Sequence, residues 1–222
     1  MFMITLVVAG VLFILLQLTL GFCSWRYSGG AGRARSIVDA SFEKRFAIVA
    51  AVIVFTADVS LSALGEGAFL RAFGDAPSDS LIVEVTGEQF VWQIRYPGRD
   101  ALFGRKDPAL VSTTNPLGLV PADPAARDDI VRANEMHLPV GRPVKIRLHS
   151  HDVIHSFWVP QFRTKQDAVP GMAIDVWFIP TVPGQYEIVC NQICGLGHYR
   201  MRGFVTVETP ESFDQWLSEV GG

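Results

Sequence analysis

The stretch "VCNQICGLGHYRM", Val189 to Met201, gathers two thiols, an imidazole and a thioether at Cys190, Cys194, His198 and Met201. Thiolates and a thioether are soft donors that suit copper, and imidazole suits copper and zinc alike. A weak methionine ligand is a copper habit that structural zinc sites do not share. Copper is therefore the first reading of this stretch and Cys2His2 zinc the second. A disulfide beside an unrelated histidine is the third, and it draws its strength from the compartment, because two nearby thiols in an oxidising space usually pair. The "GLG" of residues 195–197 favours the metal readings, since glycines let a loop fold several side chains onto one point.

One loop histidine rarely completes such a site. The other candidates are His137, His149, His151 and His155, three of them inside "HSHDVIHSFWVP". In an extended strand His149, His151 and His155 share one parity, so alternation does not separate them. The residue pattern leaves the choice open.

The elements that must position these donors begin with a membrane anchor. From Phe2 to Cys23 the chain carries no charged residue, and at about 1.5 Å per helical residue this run is long enough for a hydrocarbon core of about 30 Å. A secretory signal peptide would need a basic leader and a small-residue cleavage site. "MFMIT" and "GFCSWRY" supply neither. A second apolar run, Phe46 to Leu64, is broken only by Asp58, giving spans at about 2–23 and 46–64 and a transmembrane hairpin over 1–66. Its connector carries Arg26, Arg33, Arg35, Lys44 and Arg45 against Asp39 and Glu43. Basic loops stay cytoplasmic, so both termini are expected outside, with everything after about Gly65 extracytoplasmic. Asp58 has two readings, contact with a partner membrane subunit or hydration at the outer interface. Cys23, at the end of the first span, reads as a small apolar filler.

After a linker over 67–80, short runs rich in β-branched and aromatic residues follow: "LIVEVTGEQFVWQIRY", "PVKIRLHS", "AIDVWFIP", "GQYEIVC" and "GFVTVE". They predict an all-β sandwich or barrel over 81–209. Residues 97–129, dense in Pro, Gly and Asp, read as an elaborated surface loop. "PESFDQWLSEV" places Phe213, Trp216, Leu217 and Val220 at helical spacing behind Pro210, predicting a short amphipathic helix over 210–222. The formal net charge of −3 carries no nucleic-acid footprint.

A strand ending in "EIVC" that enters the Cys/His/Met loop and leaves through "MRGFVTVE" follows the plan by which β-sandwich copper proteins gather ligands. Together with the two-helix anchor, "GEQFVWQIRYP", "DVIHSFWVP", "KQDAVPG" and "CNQICGLGHYRM", the chain resembles the CuA subunit II family of heme-copper oxidases, most commonly cytochrome c oxidase. The resemblance implies a cupredoxin-like domain. It also implies that Cys190 and Cys194 bridge two copper ions, that His198 binds one and His155 the other, and that Met201 and the main-chain carbonyl of Gln192 are weak ligands. By the same resemblance the chain accepts single electrons from a cytochrome c and passes them to heme in subunit I, where CuB also resides and oxygen is reduced with proton pumping. Other oxidase subunits and membrane lipid are the remaining partners, and a bacterial plasma membrane with the copper domain on the periplasmic side is the implied location.

The chain departs from the family pattern in three places. Gln192 stands where many members have a Glu that reaches magnesium, and a neutral amide is a poorer ligand for a hard cation, so magnesium is not expected to be held in the usual way. Phe90 stands where the family commonly has the tryptophan through which electrons arrive, while Trp92 is kept, so either ring is a candidate for that role. No Cys-x-x-Cys-His occurs, so the donor cytochrome is expected to be a separate protein. Glu43 matches only loosely an acidic residue that relatives use near a proton path. Alternatives are the CuA subunit of a nitric oxide reductase, a membrane-tethered copper-binding or copper-delivery protein, and a disulfide-stapled structural protein.

Overall fold

Two long helices make up most of the first of two units, Met1–Gly74 and Asp75–Gly222, in a computed structural model that describes residues 2–28 and 40–221. Helix α1 runs Phe2–Tyr27 and α2 runs Ala40–Phe73. Both are apolar and long enough to cross a membrane, and their side chains are almost wholly uncovered within the chain. A helix hydrophobic all round with no protein to cover it matches lipid, not water. Helix α2 continues past the expected span and takes in residues 67–73 of the stretch read as linker. Nothing in "GAFLRAF" breaks a helix, and the turn closes only where the Gly74 N–H donates to the Leu70 carbonyl at 2.9 Å. Arg33, Arg35 and Asp39 of the basic connector lie outside the described residues.

The second unit is a sandwich of two five-stranded sheets. Its strands are β1 Leu81–Glu88, β2 Val91–Tyr96, β3 Ile130–Ala133, β4 Glu135–Pro139, β5 Val144–Ser150, β6 His155–Val159, β7 Thr164–Ala168, β8 Ile174–Phe178, β9 Gly184–Cys190 and β10 Arg202–Glu208, and helix α3, Pro210–Val220, follows. One sheet has the order β3-β2-β1-β5-β8 and the other β4-β10-β9-β6-β7, with β1 parallel to β5 and β10 parallel to β4. The run "LIVEVTGEQFVWQIRY" is thus a hairpin, turning at Gln89–Phe90 so that Gly87 pairs with Trp92. Alternation sends Val144, Ile146 and Leu148 of β5, and Val205 and Val207 of β10, into one core with Ile94, Met136, Phe157 and Ile188.

Two devices close the ends of the core. Thr209 caps α3 by accepting from the Ser212 N–H, and Phe213, Trp216, Leu217 and Val220 pack onto the sandwich as the spacing predicts. Under the 97–129 loop, the wholly buried Arg95 bonds Glu84 at 2.9 Å, Asp129 and the Gly104 carbonyl, and its guanidinium lies 4.9 Å from the Phe103 ring. Lys106 adds a 3.0 Å bond to Glu84. Burial alone would raise the Glu84 carboxyl, but His149, Lys106 and Arg95 together bring it down to about 2.

Candidate metal centre

Cys190 is the last residue of β9 and Met201 directly precedes β10, so the donor-rich stretch is the connection between two paired antiparallel strands. The Cys190 N–H donates to the Met201 carbonyl at 3.2 Å, closing the loop at its base. Within it, His198, Arg200 and Met201 donate back to Gly195, Gly197 and His198, a tight turn that carries the imidazole over the two sulfurs. Gly195 adopts φ +138°, a backbone conformation that L side chains rarely take.

Strand β6 brings the fifth donor. Phe157 pairs with Cys190, and the Asn191 N–H donates to the Ser156 carbonyl at 3.0 Å. His155 lies two residues from Phe157 on the same side of the strand, which puts its ring beside the thiols. The donors form a chain of near-equal steps. His155 Nδ1 is 3.9 Å from Cys190 Sγ, which is 3.9 Å from Cys194 Sγ; that sulfur is 3.7 Å from His198 Nδ1 and 3.8 Å from Met201 Sδ. The Gln192 carbonyl oxygen lies 3.2 Å from Cys190 Sγ, while its side chain points to the surface.

These separations fit metal ligation. Donors at about 2.0–2.3 Å from one ion, spread tetrahedrally, stand about 3.3–3.8 Å apart. A disulfide is excluded in this structure, because its sulfurs would be about 2.05 Å apart and both thiols are free. His155 is fully enclosed and Cys190, Cys194 and Met201 nearly so, a dry pocket for soft donors. Among the described residues, His155, Cys190 and Cys194 are the group whose ligand atoms fall within 4.8 Å of one another.

Electrostatics prepare the donors unequally. Burial raises the Cys190 thiol, yet bonds from His155, the Ser156 and Gln192 backbone and His198 outweigh it, so the thiol titrates lower than usual. Cys194 is pushed up by burial and then by the charge on Cys190. Two anions this close cannot both form without a cation between them. Burial opposes a charge on His155, but contacts with Cys190 and Asp152 raise its imidazole.

A supporting shell escaped the sequence reading. Asp152 Oδ1 accepts from His155 Nε2 at 2.7 Å, which leaves Nδ1 as the free donor facing sulfur. Gly87 lies flat against the His155 ring, where a Cβ would sit 2.8 Å from Cδ2. A glycine inside a strand signals such close approach and was the available clue. The remaining histidines are elsewhere. His137 is held between Glu208 and Glu135 and stacks on Trp216, His149 lies within β5 beside Glu84, and His151 is exposed. The shared parity of His149, His151 and His155 does not apply, because the chain leaves one sheet after Ser150 and enters the other at His155. Of the two aromatic candidates, Trp92 is wholly buried with its ring 5.9 Å from that of His155, and Phe90 is half-buried against the loop.

Comparison with known proteins adds a family. The profile of the cytochrome C oxidase subunit II periplasmic domain matches residues 81–208. The alternative cytochrome c oxidase subunit 2 of Bradyrhizobium diazoefficiens is 43% identical over 148 residues, covering 66% of this chain and 53% of that protein. The cytochrome c oxidase subunit 2 of Cereibacter sphaeroides is 28% identical over 236 residues, covering 98% of this chain and 74% of that one. A crystal structure of the periplasmic domain of subunit II of cytochrome oxidase from Bradyrhizobium japonicum aligns at TM-score 0.49 with 26% identity, covering 66% of this chain and 96% of that one. The aligned part spans about half the length of the Bradyrhizobium diazoefficiens relative.

Proposed function

Because the chain belongs to the cytochrome c oxidase subunit II family, we propose that it is the electron-accepting subunit of a heme-copper terminal oxidase. Its β-sandwich would hold a dinuclear copper centre. His155, Cys190, Cys194, His198 and Met201 would be the side-chain ligands and the Gln192 carbonyl the backbone ligand. The observation that carries this reading is the unbroken run of five donor atoms at 3.7–3.9 Å spacing, with the two sulfurs at its middle and unbonded.

A pair of copper ions held by these residues would supply a one-electron couple. The residues of this chain do the rest. Asp152 fixes the His155 tautomer by accepting its Nε2 proton, and the enclosed pocket keeps water from the sulfurs. The β9 and β10 strands hold the loop ends so that the ligands move little when the charge changes. Phe90, half-buried against the loop, is the ring through which a cytochrome c would deliver its electron, with Trp92 in the packing behind His155. Heme and CuB would reside in a catalytic subunit, which would take the electron onward for oxygen reduction and proton pumping. The two apolar helices would anchor the chain in a bacterial plasma membrane, with the copper domain on the periplasmic side.

The test is to purify the full chain in detergent, load it with copper, and record stoichiometry and the electron paramagnetic resonance spectrum. Two coppers per chain sharing one spin support the reading. A single exchangeable copper, or zinc in preference, refutes it and points to a copper-holding protein instead.

A further inference from the structure

We propose that Gln89, in the turn between β1 and β2, is the positioning residue that holds the Cys190–Met201 loop in its ligand-gathering shape. The inference rests on the reading of that loop as a copper site. Gln89 makes two bonds from one position. Its side-chain amide Nε2 donates to the Cys194 carbonyl, and its backbone N–H donates to Asp152 Oδ2 at 2.8 Å. Asp152 in turn orients His155. A single turn residue of one sheet thus reaches a thiol-bearing peptide of the loop and the support of the imidazole on the other sheet.

The loop needs such a hold. Its backbone bonds secure the two ends, Asn191 to Ser156 and Cys190 to Met201, and the turn over 195–201 bonds to itself. The Gln89 amide bonds at Cys194, in the middle. Fixing that carbonyl fixes the plane of the peptide that follows Cys194, and with it the direction of the Cys194 side chain. The fit around the turn is close. A Cβ at Gly195 would stand 2.6 Å from Gln89 Nε2 and 3.1 Å from Phe90 Cζ, and one at Gly197 would collide with the Phe90 ring. Turn and loop therefore interlock through glycines, and the amide sits where it has a carbonyl to meet. Donors held in place before the metal arrives lose less freedom when it binds.

The experiment uses the full chain in detergent with Gln89→Leu, which keeps the bulk of the side chain and removes its donor. Glu88→Gln, one residue earlier, is the control. Copper-free, Gln89→Leu should speed amide hydrogen exchange over residues 192–197 about tenfold, corresponding to about 1.4 kcal/mol, while β1 and β5 exchange as before. Copper-loaded, it should still take up the metal, release it to a chelator about tenfold faster, and show altered copper hyperfine splitting. Unchanged loop exchange and unchanged copper release in Gln89→Leu overturn the proposal. So does exchange that rises equally across the strands, since that is general loosening. If the unmodified chain takes up no copper, the copper-site reading falls, and the copper-free exchange still decides whether Gln89 holds the loop.

Discussion

His155 donates from Nε2 to Asp152 Oδ1 at 2.7 Å while its Nδ1 faces Cys190 Sγ at 3.9 Å, so one carboxylate decides which ring nitrogen is free for a metal. Asp152 is itself held ionised. Burial would raise its carboxyl, but His155, Val153 and Gln89 hold it below the usual range. Asp152→Ala should therefore weaken copper retention by about 10- to 100-fold, the ordinary cost of removing such a support. Asp152→Asn, which keeps an acceptor oxygen, should lose less. Chelator competition on the copper-loaded chain measures both, and equal retention in all three proteins would remove Asp152 from the site.

The bridging role proposed for the thiols has a sharp signature. Cys194→Ser should abolish the spectrum of an electron shared by two coppers while the sandwich remains folded, because a hydroxyl is a poor substitute for a soft thiolate. Retention of that spectrum in the variant would refute bridging.

Gly87→Ala tests the packing behind the imidazole. The new methyl would stand 2.8 Å from Cδ2 and 2.9 Å from Cγ of a ring with no exposed surface. Either the ring or β1 must shift, at a cost of about 1–3 kcal/mol. We expect reduced copper uptake with lowered thermal stability, read by metal analysis and by a melting curve of the copper-free protein.

Glu84 predicts an acid-side loss of stability. Its ordinary value is 4.5 and its folded value about 2. A depressed carboxylate contributes stability that is fully present above about pH 4.5 and lost as the pH falls through about 2. At roughly 1.36 kcal/mol per pH unit this amounts to about 2–3 kcal/mol once the partial exposure of Lys106 is discounted. Glu84→Gln should be less stable than the parent at neutral pH, and the gap should narrow between pH 4.5 and 2. Denaturant titrations across that range check it, and a gap independent of pH would contradict it.

The two aromatic rings should separate by phenotype. Phe90→Leu should slow electron acceptance from a reduced cytochrome c in the assembled oxidase while leaving the copper spectrum close to the parent. Trp92 has no exposed surface and packs at 5.9 Å from His155 and 5.8 Å from Phe157. Trp92→Phe should act on stability and on the spectrum, measured by unfolding and paramagnetic resonance. Slowed electron acceptance in Trp92→Phe alone would reverse the assignment.

Much of this protein was legible in its sequence. The two apolar helices, the β-rich domain, the amphipathic helix at 210–220 and the Cys/His/Met loop are local patterns, and hydrophobic period, turn chemistry and ligand spacing are written within a few residues of one another. His155 is a different case. Strand parity treated it like His149 and His151, and family resemblance was needed to choose it. The tertiary structure separates the three because the chain changes sheets between Ser150 and His155, a break in extended geometry that no periodicity records. The support from Asp152, Gln89 and Gly87 was likewise decided only by folding. Gln89 and Cys194 are 105 residues apart, and their bond exists because the β1–β2 turn and the β9–β10 loop meet across the sandwich. Sequence determines which atoms can bind a metal; the pairing of distant strands determines which of them meet.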